Sequence, residues 1–235
     1  MRKFIFPVLV AALIAATSVS SVAPPVKAQT AGLVSSTLTR MERNKQSLKS
    51  LHATISMQKY NAQLRDKDDY VGVVFYIPGA AGSGSAFVRL EWTKPQHEIL
   101  TVANGNYILY RPRLGLAYTG KTGSIKSQKD GDVLALMNMS ATQLRTRFGE
   151  FEDVREETLW GGVHTTHFKA TPKTMASYSY IEVWVDDSGM PVQTKMVEKN
   201  DDSTSVRLTD IDKNQTIPND QFTQKLDSSV KRVKG

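Results

Sequence analysis

The sequence predicts a mainly β protein with helices in two places (α+β), folded around a single curled antiparallel sheet. Three observations support this fold class. Most of the chain after residue 52 alternates apolar and polar residues, with the period of two that is typical of strands with one buried face. Short turn-forming segments separate these runs, and two other stretches carry the apolar spacing of amphipathic helices. A sheet of ten or eleven strands twists too strongly to stay flat, so we expect a barrel or half-barrel with the helices over its concave side.

The N-terminal segment has the features of a secretory signal peptide. Arg2 and Lys3 precede an apolar run over residues 4–16, which is too short to span a bilayer comfortably. We predict cleavage after Ala28, which leaves one soluble domain of residues 29–235 in the periplasm. The alternative is that the segment stays uncut as a membrane anchor.

The composition excludes several classes of protein. The chain is 40% hydrophobic and 23% charged, as in ordinary globular domains, and it has no cysteine. Cysteine nucleophiles, disulfide frameworks and thiolate metal sites are therefore excluded. Removal of Arg2, Lys3 and Lys27 lowers the formal charge from +7 to +4. The remaining charges are dispersed along the chain, so we expect no nucleic-acid partner and no polybasic anchor.

The predicted elements follow a simple order. A helix over residues 31–51 places six apolar side chains on one face: Leu33, Val34, Leu38, Met41, Leu48 and Leu51. Strands follow over residues 53–58, 70–77, 86–93, 98–103, 107–111 and 116–119, and Asn104-Gly105 is the strongest hairpin signal among their turns. One or two short helices within residues 130–151 carry Leu134, Leu136, Met137, Met139, Leu144 and Phe148. Strands resume over residues 151–159, 163–170, 178–185, 192–198 and 203–211.

No pattern of residues points to catalysis or to a metal. His164 and His167 are the only close pair of histidines, and a spacing of three sends them to opposite faces of a strand. The segment 82–85 lacks the lysine and the following helix of a phosphate-binding loop, and no nucleophile elbow is present. We therefore expect no catalytic residue, no metal site and no cofactor.

The alternation of the strands predicts which face of the sheet is buried. Val88, Leu90 and Trp92 alternate with the polar Arg89 and Glu91, and a second apolar set on a later strand consists of Ile181, Val183 and Val185. Above them, flexible side chains of the middle helices would form a wall: Leu134, Leu136, Met137 and Met139. Leu38 and Met41 of the first helix would complete the cover. These residues either line a ligand cavity or form a plain hydrophobic core, and both interpretations remain open on composition.

Several segments resemble the outer-membrane lipoprotein carrier family, the LolA type. The run 87–95 (Phe-Val-Arg-Leu-Glu-Trp-Thr-Lys-Pro), the Asn104-Gly105 hairpin and Tyr110-Arg111-Pro112 are similar to consecutive segments of that family. Thr171-Pro172-Lys173, the strand and Asp-x-x-Gly turn within residues 181–191, and a closing segment with Asn214, Ile217-Pro218 and Phe222 also match. The resemblance covers nearly all of the mature chain in the family's order and spacing.

This resemblance implies an unclosed barrel with a helical lid and an apolar cavity. The cavity would hold the acyl chains of a lipoprotein or other lipid while the monomeric carrier crosses the periplasm. It also implies two partners, an inner-membrane lipoprotein exporter and an outer-membrane acceptor. Two alternatives stay open: a lipid- or lipoprotein-sensing regulator of the RseB type on the same fold, and an exported enzyme acting on envelope lipid.

The sequence departs from the family pattern at two points. Known carriers have an arginine beside a proline just before the strand at Phe87, and it holds the lid closed. Residues 79–85 contain no basic residue here, and Arg89 occupies a different motif position within the strand, so this latch is not carried over. The usual proline-glycine turn near the end is replaced by residues 226–229 (Leu-Asp-Ser-Ser).

Overall fold

The computed structural model describes residues 26–79, 86–125 and 127–235. The first 25 residues of the predicted signal peptide and most of the loop 79–85 lie outside these ranges. Within them the α-helices are α1 (Val26–Ser47), α2 (Gln128–Asn138) and α3 (Ala141–Arg147). Short 3-10 helices span Pro112–Leu114, Thr122–Ser124 and Asn219–Phe222.

The described residues form twelve strands. They are β1 (Leu51–Asn61), β2 (Asp66–Ile77), β3 (Phe87–Lys94), β4 (Glu98–Ala103), β5 (Asn106–Arg111), β6 (Leu116–Lys121), β7 (Phe148–Leu159), β8 (Val163–Pro172), β9 (Tyr178–Asp186), β10 (Pro191–Glu198), β11 (Ser203–Lys213) and β12 (Lys231–Lys234).

All twelve of these strands belong to one sheet, in the order β12-β6-β5-β4-β3-β2-β1-β11-β10-β9-β8-β7. Neighbours are antiparallel except β12, which lies parallel to β6. Within the described ranges β7 pairs only with β8 and β12 only with β6, so the sheet is not closed. The architecture confirms the predicted fold class, an unclosed and mainly antiparallel barrel with helices.

The observed elements differ from the predicted ones in several boundaries and in one strand. The first helix ends at Ser47, and Leu51 begins β1 instead of completing a helical face. The cause lies in the tail of the chain, because the backbone N–H of Lys49 donates to Asn214 Oδ1 and Ser50 Oγ donates to the carbonyl of Gln215. These bonds take Lys49 and Ser50 out of the helical pattern. Strand β12 was not predicted at all.

The register places one apolar face continuously across the sheet. Leu90 pairs with Val74 and Val74 with Ala53, so these three side chains share a face. From β1 the same face continues into β11, where Ile55 pairs with Leu208. It continues into β10, where Val206 pairs with Thr194, and into β9, where Thr194 pairs with Val183. This concave face therefore runs from β3 to β9, and it includes both predicted strand sets.

The apolar interior divides into two clusters under the helices. Cluster one lies mainly beneath α2 and consists of Leu51, Ala53, Ile55, Met57, Val74, Tyr76, Val88, Leu90, Trp92, Leu100, Val102, Tyr107, Leu109, Val133, Leu136, Met137, Trp184, Met190, Val192, Val206 and Leu208. Cluster two packs under α1 and α3 and consists of Leu38, Met41, Ala141, Leu144, Phe148, Phe168, Ala170, Ile181, Val183 and Val185. Among the described residues, no helix combines the length and the apolar character needed to cross a membrane.

Candidate functional site

The six strand residues predicted to face the interior are all buried. Val88, Leu90 and Trp92 belong to cluster one, whereas Ile181, Val183 and Val185 belong to cluster two. Arg89 and Glu91 lie on the opposite, convex face, where their side chains form an ion pair at 2.9 Å. The predicted register of β3 and β9 is confirmed, but the two sets meet different helices.

The predicted cover residues also divide between the clusters. Leu136 and Met137 of α2 are buried in cluster one, and Leu134 is half-buried against it. Met139 lies just after the end of α2 and packs against cluster two, which also contains Leu38 and Met41 of α1. The helix α2 thus covers cluster one, α1 covers cluster two, and Met139 lies where the two meet.

The space between the two clusters is small in this closed arrangement. A cavity of about 80 Å³ lies between α2 and strands β9 to β11. Its lining includes Asp132, Leu136, Met139, Ile181, Met196 and Val206. A separate open groove of about 630 Å³ lies beside cluster two, between α1, α3 and β7, and is lined by Val34, Leu38, Arg145, Glu150 and Phe151 among others. Of these two spaces, the groove has the volume of an ordinary ligand pocket and the cavity does not.

A buried hydrogen bond ties the N-terminal end of α2 to the floor of the interior. The indole Nε1–H of Trp92 donates to Asp130 Oδ1 at 2.9 Å, and both side chains are fully buried. The second carboxylate oxygen of Asp130 has no hydrogen-bond partner among the described residues. The first turn of a helix favours a negative charge, which helps to hold this carboxylate there.

An ion-pair group of largely buried side chains holds the same end of α2. The ammonium of Lys129 pairs with Glu98 of β4, and Arg111 of β5 lies 3.1 Å from the other oxygen of Glu98. The Lys129 ammonium also lies 5.3 Å from the ring centre of Trp92, at cation–π distance. At the far end of α2, the Tyr76 hydroxyl donates to Asn138 Oδ1 at 3.3 Å.

These contacts are the part of the site that the sequence analysis missed. Asp130, Lys129 and Glu98 look like ordinary surface charges in the sequence, and only the fold brings them together around Trp92. Because Arg89 lies on the convex face, it takes no part in holding the lid. The Trp92–Asp130 bond and the Lys129–Glu98 pair hold α2 against the sheet without an arginine at the position of the family's latch.

Asp132 brings an acidic group to the wall of the small cavity. The pKa of its carboxyl is raised to about 6, mainly by burial; Lys59 opposes the rise, and the charges of Glu198 and Asp130 add to it. One of its oxygens has no hydrogen-bond partner in the part of the chain that is described. A carboxyl with this pKa changes its charge close to neutral pH.

The histidines do not form a common site. His167 is fully buried between the carbonyl of Asp153 and a carboxylate oxygen of Glu182, whereas His164 pairs with Asp187 at the surface. Within residues 26–79, 86–125 and 127–235, no group of three or more acidic or histidine side chains is placed to hold a metal ion.

Comparison with known proteins gives the family. Residues 87–225 match the family model described as "Outer membrane lipoprotein carrier protein LolA", which is more than half of the chain. The chain belongs to the LolA family. The matched region of this LolA-family chain begins at β3, so it contains α2 with its contacts to Trp92 and Glu98 but not α1. No curated protein matches the chain.

Several solved structures resemble this chain at low sequence identity. A MucA/MucB complex from Pseudomonas aeruginosa has a TM-score of 0.50 and 15% identity, and an uncharacterized conserved protein from Thermus thermophilus has 0.53 and 11%. The alignments cover 82% of this chain and 61% of the MucB-complex chain, and 86% of this chain and 98% of the Thermus chain. Lipoprotein LppX from Mycobacterium tuberculosis has a TM-score of 0.47 at 14% identity, over 80% of this chain and 98% of its own. The LolA-family chain spans only about three fifths of the MucB-complex chain.

Proposed function

We propose that this protein is a periplasmic carrier that binds the acyl chains of lipoproteins between its concave sheet face and its helices. In this proposal it receives its cargo from an inner-membrane exporter and passes it to an outer-membrane acceptor. The single observation that carries the proposal is the continuous apolar face beneath a separately held helix, α2. The match to a family described as lipoprotein carriers supports it.

The apolar face supplies enough binding energy without any covalent step. Each methylene removed from water contributes about 0.8 kcal/mol, so part of one acyl chain contributes several kcal/mol. Release stays possible because some of this energy is used to separate α2 from cluster one. A carrier of this design binds with moderate affinity.

A sensing regulator on the same fold is the second candidate function. The observation that favours it is the similarity to MucB, whose structures include a complex with MucA. A regulator of this kind would keep its acylated ligand and bind a protein partner, whereas a carrier would give the ligand up. Both candidates use the same apolar interior.

The first test measures what the protein carries. Mass spectrometry of the chain purified from the periplasm should detect acylated peptides or lipids that co-purify with it. The loaded protein should then lose an acylated peptide to acceptor vesicles within minutes. Ligand that stays bound while a membrane protein is captured would favour the regulator, and the absence of any acyl binding would contradict both candidates.

A variant series locates the binding site. Leu136→Glu and Met139→Glu each place a charge at the edge of the small cavity, and both should weaken binding of an acylated peptide at least tenfold, a cost of about 1.4 kcal/mol or more. Leu64→Glu is the control, because Leu64 is 76% exposed in the turn after β1. Thermal melting identifies any variant that unfolds, and the half-buried Met139 keeps the test informative if Leu136→Glu does so. Folded variants with unchanged binding would place the acyl chain elsewhere.

A further inference from the structure

The two edges of the sheet carry opposite charges. Strand β7, at one edge, contains five acidic residues and a single arginine, Arg155. At the other edge, the sequence from Ile99 to Lys129 contains no acidic residue, and this stretch includes the whole of β5 and β6. Strand β12 adds three cations in four residues. The charges that look dispersed along the sequence are therefore segregated in the fold.

Five exposed cations line the β12 edge of the sheet, which we call the basic edge: Arg113, Lys121, Lys231, Arg232 and Lys234. The backbone N–H of Lys231 donates to Gly115, which follows the turn containing Arg113. The N–H of Gly235 donates to Thr119, two residues before Lys121. The cations therefore follow β6 from one end to the other, a length of roughly 17 Å. Within the described ranges none of the five side chains forms an ion pair or a hydrogen bond.

An exposed apolar side chain marks one end of the basic edge. Leu114 lies in the 3-10 turn between β5 and β6, directly after Arg113, and is 61% exposed. The start of β12 lies nearby, because Lys231 pairs with Leu116, two residues after Leu114. An apolar side chain next to cations can bind at the boundary between lipid head groups and acyl chains, because the cations contact the head groups while the apolar side chain enters the acyl region.

We propose that the basic edge is a docking surface for an anionic lipid bilayer. The five unpaired cations would lie on the head groups, and Leu114 would insert at the head-group boundary. A basic residue close to an anionic membrane contributes about 1 kcal/mol each, so five give reversible binding that salt weakens.

The shape of the edge favours a membrane over a partner strand. Strand β12 is short and rich in lysine, and both features discourage another chain from adding to a sheet edge. Its cations also project to both faces, since Lys231 alternates with Arg232 along the strand. A bilayer can contact both faces of such an edge, whereas a single added strand contacts only its backbone. The proposal does not depend on lipoprotein carriage.

The test is co-sedimentation of the full mature chain with lipid vesicles. Vesicles of equal parts phosphatidylglycerol and phosphatidylcholine should bind the protein at about 0.1 M salt and lose it at about 1 M. Vesicles of phosphatidylcholine alone should not bind it. The variant Lys231→Gln/Arg232→Gln/Lys234→Gln should bind the anionic vesicles about a hundredfold more weakly. Leu114→Ser should weaken binding several-fold.

A matched control separates the basic edge from net charge. Arg43→Gln/Lys45→Gln/Lys199→Gln removes the same number of exposed cations of the same types from other surfaces, and its binding should stay within about twofold of the unchanged protein. The variant Arg113→Gln/Lys121→Gln leaves β12 intact and repeats the test if the triple variant melts early. Equal losses in the edge and control variants would overturn the proposal, as would no binding to anionic vesicles. Salt-sensitive dimers in sedimentation velocity that the edge variant abolishes would also overturn it, because the edge would then bind a second copy.

Binding of an acylated peptide distinguishes this proposal from the carrier function. The triple edge variant should bind such a peptide as well as the unchanged protein does, because no cation of the basic edge lines the small cavity. Loss of vesicle binding with retained peptide binding supports the docking surface alone. Loss of both would indicate a damaged fold and would overturn the assignment to the basic edge.

Discussion

The Trp92–Asp130 pair is the single contact that joins the lid most deeply to the sheet. A hydrogen bond to a charged group contributes about 1.5–3 kcal/mol, and a buried carboxylate that loses its partner costs a similar amount. Asp130 already has one oxygen without a partner among the described residues, so its bond to Trp92 carries most of its stabilisation inside the protein. The closed position of α2 therefore depends in part on one indole N–H, beside the Lys129–Glu98 pair and the packing of Leu136 and Met137.

Trp92→Phe is expected to loosen α2. The ring is kept while the donor is lost, so the closed state should lose about 2 kcal/mol, and hydrogen exchange in residues 128–138 should become about thirtyfold faster. Acylated peptide should bind more tightly, because less energy is needed to open the lid. Trp184→Phe is the control: Trp184 belongs to cluster one, but it lies on the face of β9 opposite Val183 and α2, where its indole donates to Glu157. Equal effects of both variants on hydrogen exchange in α2 would contradict the view that the Trp92–Asp130 hydrogen bond holds α2 closed.

Asp132 should make stability depend on pH. Its pKa is raised from an ordinary value of 3.8 to about 6, so the folded state binds a proton more tightly than the unfolded state. This contribution to stability is present below pH 4 and is lost as the pH rises through about 6. Asp132→Asn should therefore remove up to about 1 kcal/mol of the fall in stability between pH 5 and pH 7.5, allowing for partial exposure to water. Urea unfolding of both proteins at the two pH values measures the difference, and an identical fall would contradict the raised pKa.

At the scale of elements, α1 is positioned by the turn between β9 and β10. A Cβ atom at Gly189 would lie 2.2 Å from the carbonyl oxygen of Arg40 in α1, and Gly189 has a φ of +86°. Gly189→Ala should therefore cost about 2–4 kcal/mol and speed hydrogen exchange in α1. Gly161→Ala is the control, because Gly161 has a φ of +90° with no atom within 4 Å and should cost only about 1 kcal/mol. Equal costs in urea unfolding would mean that backbone strain alone, without displacement of α1, explains the effect.

Most strands could be predicted because apolar and polar residues alternate along each one, and the apolar residues mark its buried face. The prediction for residues 98–103 coincides with β4, and the β3 and β9 sets face the interior as expected. Strand β12 escaped prediction because Lys-Arg-Val-Lys has no apolar alternation, and its partner β6 lies more than a hundred residues earlier. Local pattern contains no information about such a distant pairing.

The candidate site was predictable only in its apolar part. Apolar residues on β3 and α2 reveal their burial through periodicity, whereas Asp130, Lys129 and Glu98 gain their role from neighbours that the fold supplies. The division of the interior into two clusters was also not predictable, because it depends on where α1 and α2 lie over the sheet. Alternation indicates which face is buried but not which helix covers it.

At the scale of the whole molecule, the described arrangement is a closed one. The concave face is continuous from β3 to β9, yet the helices and their side chains fill it and leave about 80 Å³ between the clusters. Ligand pockets for small molecules usually have 300–1,000 Å³, so an acyl chain does not fit beneath α2 in this form. Binding there requires α2 and α1 to separate, and Met137 and Met139 are suited to repack around the chain.

The last prediction tests whether the helices move when cargo binds. An acylated peptide should change hydrogen exchange in residues 34–41 of α1 and 134–139 at the end of α2, while β1 and β11 at the centre of the sheet keep their protection. The same peptide without its acyl group is the control and should change neither helix. An acyl chain bound with unchanged exchange in both helices would contradict a moving lid. It would place the chain in the open groove between α1, α3 and β7, which has about 630 Å³ without any movement. Exchange at Phe151 in the floor of that groove would then slow instead.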